Sequence, residues 1–277
     1  MENTQSYKAY LKSPYRTVKH STYFQVYDEL FSPWRGRNIT FVEIGIAEGG
    51  SLFMWREFFG PQARIIGIDI NPEAKVLTKY GFEIFIGSQS DKEFWKQFNK
   101  SVGMIDIVLD DGGHSYLQQI VTTKMLIDQI KDHGMLVVED THTSYMSNYG
   151  TKKFSFINFT KVIIDRINQR FSELDHCRSN KSIWSIQFYE SFVVFHVNRK
   201  ECNITSQPTS NNSTNSINIH FINPGDKILN VYLGLVSKMP FLRKIPIVKY
   251  TAIKIKNILS KIIDTRLLSK EFKDYFL

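Results

Sequence analysis

Between residues 39 and 138 this chain alternates between two kinds of hydrophobic pattern, and that alternation constrains the fold more than any other feature. Short apolar runs rich in β-branched residues fall at 39–44, 64–68, 83–86, 106–109 and 135–138. Between them lie segments compatible with helices, at 51–59, 72–79, 92–98 and 116–130. Strands separated by helices run parallel and are joined by right-handed crossovers, which predicts an α/β, doubly wound, Rossmann-like sheet. After a long helical candidate at 154–171 the rhythm changes. Two β-rich runs, 183–189 and 192–197, are separated only by Glu190 and Ser191. That gap admits an antiparallel hairpin and no crossover. The expected sheet is therefore mostly parallel, closed by a C-terminal antiparallel hairpin.

The flanks differ from this body. Residues 1–37 are polar and aromatic, with a helix expected near 22–31, and read as an N-terminal helical segment able to cover an acceptor site. Residues 38–199 form the α/β domain. Residues 200–220 are rich in Ser, Thr and Asn without hydrophobic periodicity, and read as a flexible linker. Residues 221–277 read as a basic amphipathic helical tail, because Ile228, Val231, Tyr232, Leu235, Val236 and Met239 fall on one helical face. Of the formal net charge of +8, seven units come from residues 226–277, where eleven Lys and Arg face four Asp and Glu. An electrostatic partner thus belongs to the tail: an anionic membrane surface or a second copy of the chain. The near-neutral body argues against nucleic acid. Two cysteines, Cys177 and Cys202, exclude a disulfide scaffold and fit a reducing compartment. With no signal-like apolar stretch at the start and no run long enough to span a bilayer, the expected location is cytoplasmic, with peripheral contact at the inner membrane face through the tail.

The first strand runs into EIGIAEGGS, which places Glu43 and Gly45 at its end and Gly49 and Ser51 at the start of a helix. Glycines allow a tight turn and close approach of a ligand, while the helix start offers free N–H groups. The spacing is not the dinucleotide fingerprint, and there is no phosphate-loop lysine. An acid before the glycine suits a ligand with a cationic amino group rather than a pyrophosphate. Asp69, ending the second strand, stands where an acid accepts hydrogen bonds from ribose hydroxyls. Ser88 and Gln89 follow the third strand and could meet an adenine edge.

The fourth strand ends in DIVLDDGGHSY and the fifth in GMLVVEDTHTSY. In a doubly wound sheet both carboxyl ends open onto one crevice, so Asp111, Glu139 and Asp140 are expected to converge there. Three carboxylates in one place repel one another, so a cation or protons must compensate, and all-oxygen ligation favours Mg²⁺, with Mn²⁺ or Ca²⁺ as substitutes. His114, three residues past Asp111, is a candidate general base for activating a hydroxyl. His142 and Tyr145 are candidates for contact with the acceptor.

Together EIGIAEGGSLFMW, GIDINP, SQSDKEFW, LDDGGH and VVEDTHTSY resemble the metal-dependent sugar O-methyltransferases of macrolide biosynthesis. That family is related to proteins labelled cephalosporin hydroxylases and to glycan-modifying members of polysaccharide gene clusters. The resemblance spans about residues 19–145. It implies a class I methyltransferase fold that uses S-adenosylmethionine and Mg²⁺ and acts on a sugar or glycan hydroxyl. It further implies Asp111, Glu139 and Asp140 as metal ligands and His114 as the base. Glu43, Gly45, Gly49, Ser51, Asp69, Ser88, Gln89 and Asp110 would form the cofactor site. Two departures stand out: Gly113 replaces the serine usual in Asp-Asp-Gly-Ser-His, and Ser88 replaces the aspartate of Gly-Asp-Gln. Two alternatives remain open: an iron-dependent hydroxylase built on His114, His142 and a carboxylate, and a non-catalytic partner in a glycan-assembly complex.

Overall fold

Seven strands form one sheet in the order β3-β2-β1-β4-β5-β7-β6. They are β1 (Thr40–Ile44), β2 (Arg64–Asp69), β3 (Glu83–Ile86), β4 (Ile105–Asp110), β5 (Ile130–Val138), β6 (Ile183–Tyr189) and β7 (Phe192–Val197). The first five are parallel, and β7 runs antiparallel to both β5 and β6. The computed structural model describes residues 1–171 and 181–215. Cys177 and the tail helix expected from 221 onward lie outside the described residues.

Alternation along the strands divides the core between the two faces of the sheet. Phe41 of β1 and Ile107 and Leu109 of β4 face one layer, while Val42 and Ile44 of β1 and Val108 of β4 face the other. The first layer holds α1 (Gln5–Leu11), α2 (Tyr23–Phe31) and α3 (Gly50–Phe59). Its centre is aromatic: Tyr27, Phe31, Trp55 and Phe59 pack around Phe41 with ring centroids 4.9–6.1 Å apart. The second layer holds α4 (Lys92–Val102), α5 (Tyr116–Leu126) and α6 (Phe156–Asn168), with Trp95, Leu126 and Phe156 fully buried.

Two elements differ from the sequence expectation. The 72–79 segment is a 3₁₀-helix, Pro72–Tyr80, capped by Asn71 and stopped by Gly81 in the left-handed region. Strand β5 starts at Ile130, five residues before its apolar run, because Lys131–His133 extend it with polar side chains beside a register irregularity in β4. A short helix, α7 (Arg199–Cys202), runs from the last residue of the expected α/β domain into the segment read as a linker and is tied down by Arg199, which donates to Asp132 and to the Ile130 carbonyl. Residues 203–215 have no regular secondary structure. Among the described residues no helix is long and apolar enough to cross a membrane.

Candidate active site

The chain order reverses between β1 and β4, and the loops leaving the carboxyl ends of β1, β2, β4 and β5 meet outside that point. Gly45 leaves β1 with φ +82, and a Cβ there would lie 2.2 Å from the Asp111 carbonyl oxygen. The β1 and β4 loops therefore touch backbone to backbone, which only glycine permits. Asp69 fastens the same loop: its Oδ2 accepts from the N–H groups of Ile46 and Ala47 at 3.1 and 3.0 Å. Gln89 fastens the other side, donating from Nε2 to Asp110 Oδ1 and accepting the Gly113 N–H. A cavity of about 370 Å³ lies between these loops, lined by Gly45, Asp69, Ser88, Gln89, Asp111 and Gly112. A second, of about 220 Å³, shares Gly45, Ala47 and Asp111 with it and runs under Arg16, Thr17 and Val18.

Three expected cofactor residues do structural work behind these cavities. Glu43 is fully buried, accepting from Ser51 Oγ at 2.7 Å and Trp55 Nε1 at 3.1 Å. Burial pushes its pKa up to about 7, against the pull of Lys19, Ser51 and Trp55. Asp110 is also raised to about 7 by burial, offset in part by the Gly112 N–H and Gln89. Gly49 turns in the left-handed region, where a Cβ would run into Leu77. Ser51 has a double position, since it also borders the smaller cavity.

The acids after β4 and β5 do converge, but not as one equivalent trio. Asp111, His114 and Asp140 offer ligand atoms that all lie within 4.8 Å of one another. His114 Nε2 is 3.4 Å from Asp140 Oδ2 and 3.9 Å from Asp111 Oδ1. Both His114 (φ 57) and Asp140 (φ 54) hold left-handed backbone, a conformation that non-glycine residues keep chiefly where surroundings enforce it. Glu139 is outside that cluster, hydrogen-bonded to Tyr27 of α2, with no exposed surface. Its Oε1 accepts from Tyr27 Oη at 2.5 Å and its Oε2 from Lys19 Nζ at 3.2 Å. Burial raises its pKa well above the usual carboxylate range, although Lys19 opposes the shift.

Lys19 was not anticipated. Its ammonium lies 2.5 Å from Asp111, 3.2 Å from Glu139 and 3.9 Å from Glu43, with the side chain only 3% exposed. Burial alone would lower its pKa, but Asp111 and Glu139 raise it well above that of an ordinary lysine. Tyr23 and Tyr27 were missed as well. One helical turn apart on α2, they donate to Asp140 and Glu139, so the i, i+4 spacing of two hydroxyls matches two consecutive acids. Their spacing was visible in the sequence; their partners, more than a hundred residues away, were not.

Beyond the acids opens a cavity of about 500 Å³, lined by His20, Tyr23, His142, Tyr145, Tyr189 and Ser191. His142 Nδ1 pairs with Ser191 Oγ at 2.9 Å, while Tyr145 stands 73% exposed at the rim. The residues proposed for acceptor contact thus share one cavity, also lined by Tyr23, which donates to Asp140. The cluster able to hold a metal ion, among the described residues, has one histidine and two carboxylates; His142 is 3.9 Å from Asp140 and engaged with Ser191, an arrangement that does not favour the two-histidine triad of the hydroxylase alternative.

No family model matches the chain. It is 30% identical over 158 residues to the 8-demethyl-8-alpha-L-rhamnosyl tetracenomycin-C 2'-O-methyltransferase of Streptomyces olivaceus, covering 53% of this chain and 41% of that protein. To the mycinamicin VI 2''-O-methyltransferase of Micromonospora griseorubida it is 27% identical over 192 residues, covering 63% and 48%. Among solved structures, the MycE methyltransferase of the mycinamycin biosynthetic pathway, in complex with Mg and SAH, superposes with a TM-score of 0.64 at 25% identity, covering 74% of this chain and 55% of that one. The chain spans about half the length of the relatives it matches. Its fold is the Rossmann-like methyltransferase fold, and its relatives are sugar O-methyltransferases of glycosylated natural products.

Proposed function

We propose that this chain is an S-adenosylmethionine-dependent O-methyltransferase that uses a divalent cation, Mg²⁺ or Mn²⁺, and acts on a hydroxyl of a sugar or glycan. The observation that carries the reading is the cluster of Asp111, His114 and Asp140, in which Asp111 lines the cavity at the glycine loop while Asp140 accepts from Tyr23, which lines the large cavity. On one side lie the glycine loop and Asp69, suited to a nucleoside with an amino-acid arm. On the other lies a cavity lined by aromatic rings and hydroxyl, imidazole and carboxyl groups, the mixture that a sugar ring requires. The similarity to sugar O-methyltransferases supports the same assignment.

The donor set fits a hard dication, since the carboxylates of Asp111 and Asp140 face the crevice with oxygens close enough to share one ion. Bound S-adenosylmethionine supplies an electrophilic methyl on sulfur, and a bound dication supplies Lewis acidity toward the acceptor hydroxyl. The chain's own residues do the rest. Asp111 and Asp140 hold the charge at the crevice, with Glu139 behind them. His114, left-handed and beside Asp140, takes the hydroxyl proton at Nε2, and Asp140 stabilises the resulting imidazolium. Asp69 and the loop amides hold one partner and the large cavity the other, which supplies the orientation that direct transfer requires.

Calorimetry with S-adenosylhomocysteine and Mg²⁺, on the wild type, Asp111→Ala and His114→Ala, tests this. Binding of both ligands to the wild type is expected, with the Mg²⁺ heat lost in Asp111→Ala. His114→Ala should bind both and lose about 10²–10⁴-fold in kcat on a glycan acceptor. Failure of the wild type to bind S-adenosylhomocysteine would remove the assignment. Residues 226–277, which carry most of the net positive charge, support a contact with an anionic membrane surface or with a second copy. A cytoplasmic enzyme acting on glycans of polysaccharide biosynthesis near the inner membrane face fits that charge.

A further inference from the structure

Residues 12–22 join α1 to α2 as a strap without an α-helix or strand, and they border two of the three cavities of the site. Arg16, Thr17 and Val18 line the small cavity beside the glycine loop, while His20 and Thr22 line the large acceptor cavity. Lys19 lies between these two groups and points inward. At its leading end the strap is fastened to α3 and to the 3₁₀-helix: Lys12 pairs with Glu57 at 2.5 Å and Ser13 Oγ donates to the Gly50 carbonyl at 2.8 Å, both on α3, while Tyr15 touches Tyr80 through their hydroxyls. The strap passes so close that a Cβ on Gly50 would lie 2.4 Å from the Arg16 carbonyl. Past that point, the side chain that reaches into the protein is Lys19, bound to Asp111 and Glu139.

This contact has an electrostatic imbalance. Three carboxylates, Glu43, Asp111 and Glu139, share one ammonium. A buried ammonium is held only by good partners, and buried acids left in excess favour any further positive charge that can reach them. A dication on Asp111 and Glu139 would compensate the cluster better than Lys19 does. Both cannot sit there together, since the ammonium already lies within hydrogen-bond range of an oxygen on each acid.

We propose that Lys19 is the cluster's resident counter-cation, that a divalent ion and the Lys19 ammonium are alternative occupants of the Asp111 and Glu139 oxygens, and that metal loading thereby releases the middle of the 12–22 strap over both cavities. The inference rests on the metal-dependent reading above and adds a device to it. Lys19 is a positioning residue that stabilises the metal-free site and holds the strap down. With the metal bound, Glu139 becomes free to join Asp111 and Asp140, and the strap is free to admit ligands. The order of events follows: metal first, then cofactor and acceptor beneath a loosened cover.

The test is titration of Mn²⁺ into the wild type, Lys19→Met and Lys19→Arg by calorimetry, with melting temperature and hydrogen exchange of the strap amides followed in parallel. Lys19→Met should bind Mn²⁺ at least about tenfold more tightly than the wild type, a change of about 1.4 kcal/mol. Its melting temperature without metal should fall and should rise more on Mn²⁺ addition than that of the wild type, since the ion then compensates the bare acids. Lys19→Arg, which keeps the charge, should return toward wild-type affinity. Exchange over residues 17–21 should accelerate on Mn²⁺ addition in the wild type and be fast with or without it in Lys19→Met. Equal Mn²⁺ affinity in all three proteins, with strap exchange unmoved, would overturn the competition and leave the metal reading standing. Absence of Mn²⁺ binding in all three would overturn both.

Discussion

Gly45 shows how much a single α-carbon decides. It holds φ +82 and approaches the Asp111 carbonyl so closely that a methyl group would overlap it. Gly45→Ala adds a left-handed penalty of about 1–2 kcal/mol to a clash between two backbones that cannot both stay in place. S-adenosylhomocysteine binding, read by calorimetry, should weaken by about tenfold or more. Glu43 is the opposite case, a side chain held out of solvent. Its folded pKa of about 7 lies above the ordinary 4.5, so the folded state holds its proton more tightly than the unfolded one. The sign is therefore a loss: the native state is favoured below pH 4.5 and loses stability as pH rises from about 4.5 to 7, by up to about 3 kcal/mol. Glu43→Gln should flatten that decline, and thermal melts of both proteins at pH 5 and pH 8 would measure it. A decline of the same size in the variant would assign it to other groups. The glycine loop, Asp69 and the paired acids were legible because they stand at strand ends in a motif. Lys19, Tyr23 and Tyr27 were not, because what gives them meaning is a charge partner brought near only by folding.

Among the elements, the parallel strands and the hairpin followed from hydrophobic spacing, and the hairpin's two runs match the observed strands end to end. Pattern failed where polar residues extend a strand, as at Lys131–His133 of β5, and where a short segment winds as a 3₁₀-helix. It was silent on how α1 docks. Asp28 of α2 accepts the Gln5 N–H at 2.6 Å and the Ser6 N–H at 2.8 Å, so one helix adds to the N-terminal cap that Thr4 gives the other. Ser6 Oγ in turn donates to the Phe24 carbonyl. Asp28→Ala should cost about 1 kcal/mol of stability, as lost caps do. Hydrogen exchange should localise the change to residues 5–11 and leave β1 to β5 protected. Uniform loss of protection across the sheet would show that the cap supports more than α1.

At the scale of the molecule, residues 1–208 form one compact unit that contains every residue of the proposed site. A chain ended at Pro208 should therefore melt cooperatively and bind S-adenosylhomocysteine as the full chain does. The full chain alone should float with vesicles rich in anionic lipid. Equal flotation of both would remove the tail from any membrane role. The crevice also has a common backbone signature. Ala47, His114, Asp140 and Ser191, spread over four loops, all hold left-handed backbone that their side chains disfavour. At about 1–2 kcal/mol each, these angles are a standing tax on thermal endurance, concentrated where the chemistry is placed. Heat tolerance and turnover thus draw on the same few torsions. A hardier version of this protein is best sought first at Ala47, whose side chain is a bare methyl, because relaxing His114 or Asp140 would remove the groups that the strain holds in place.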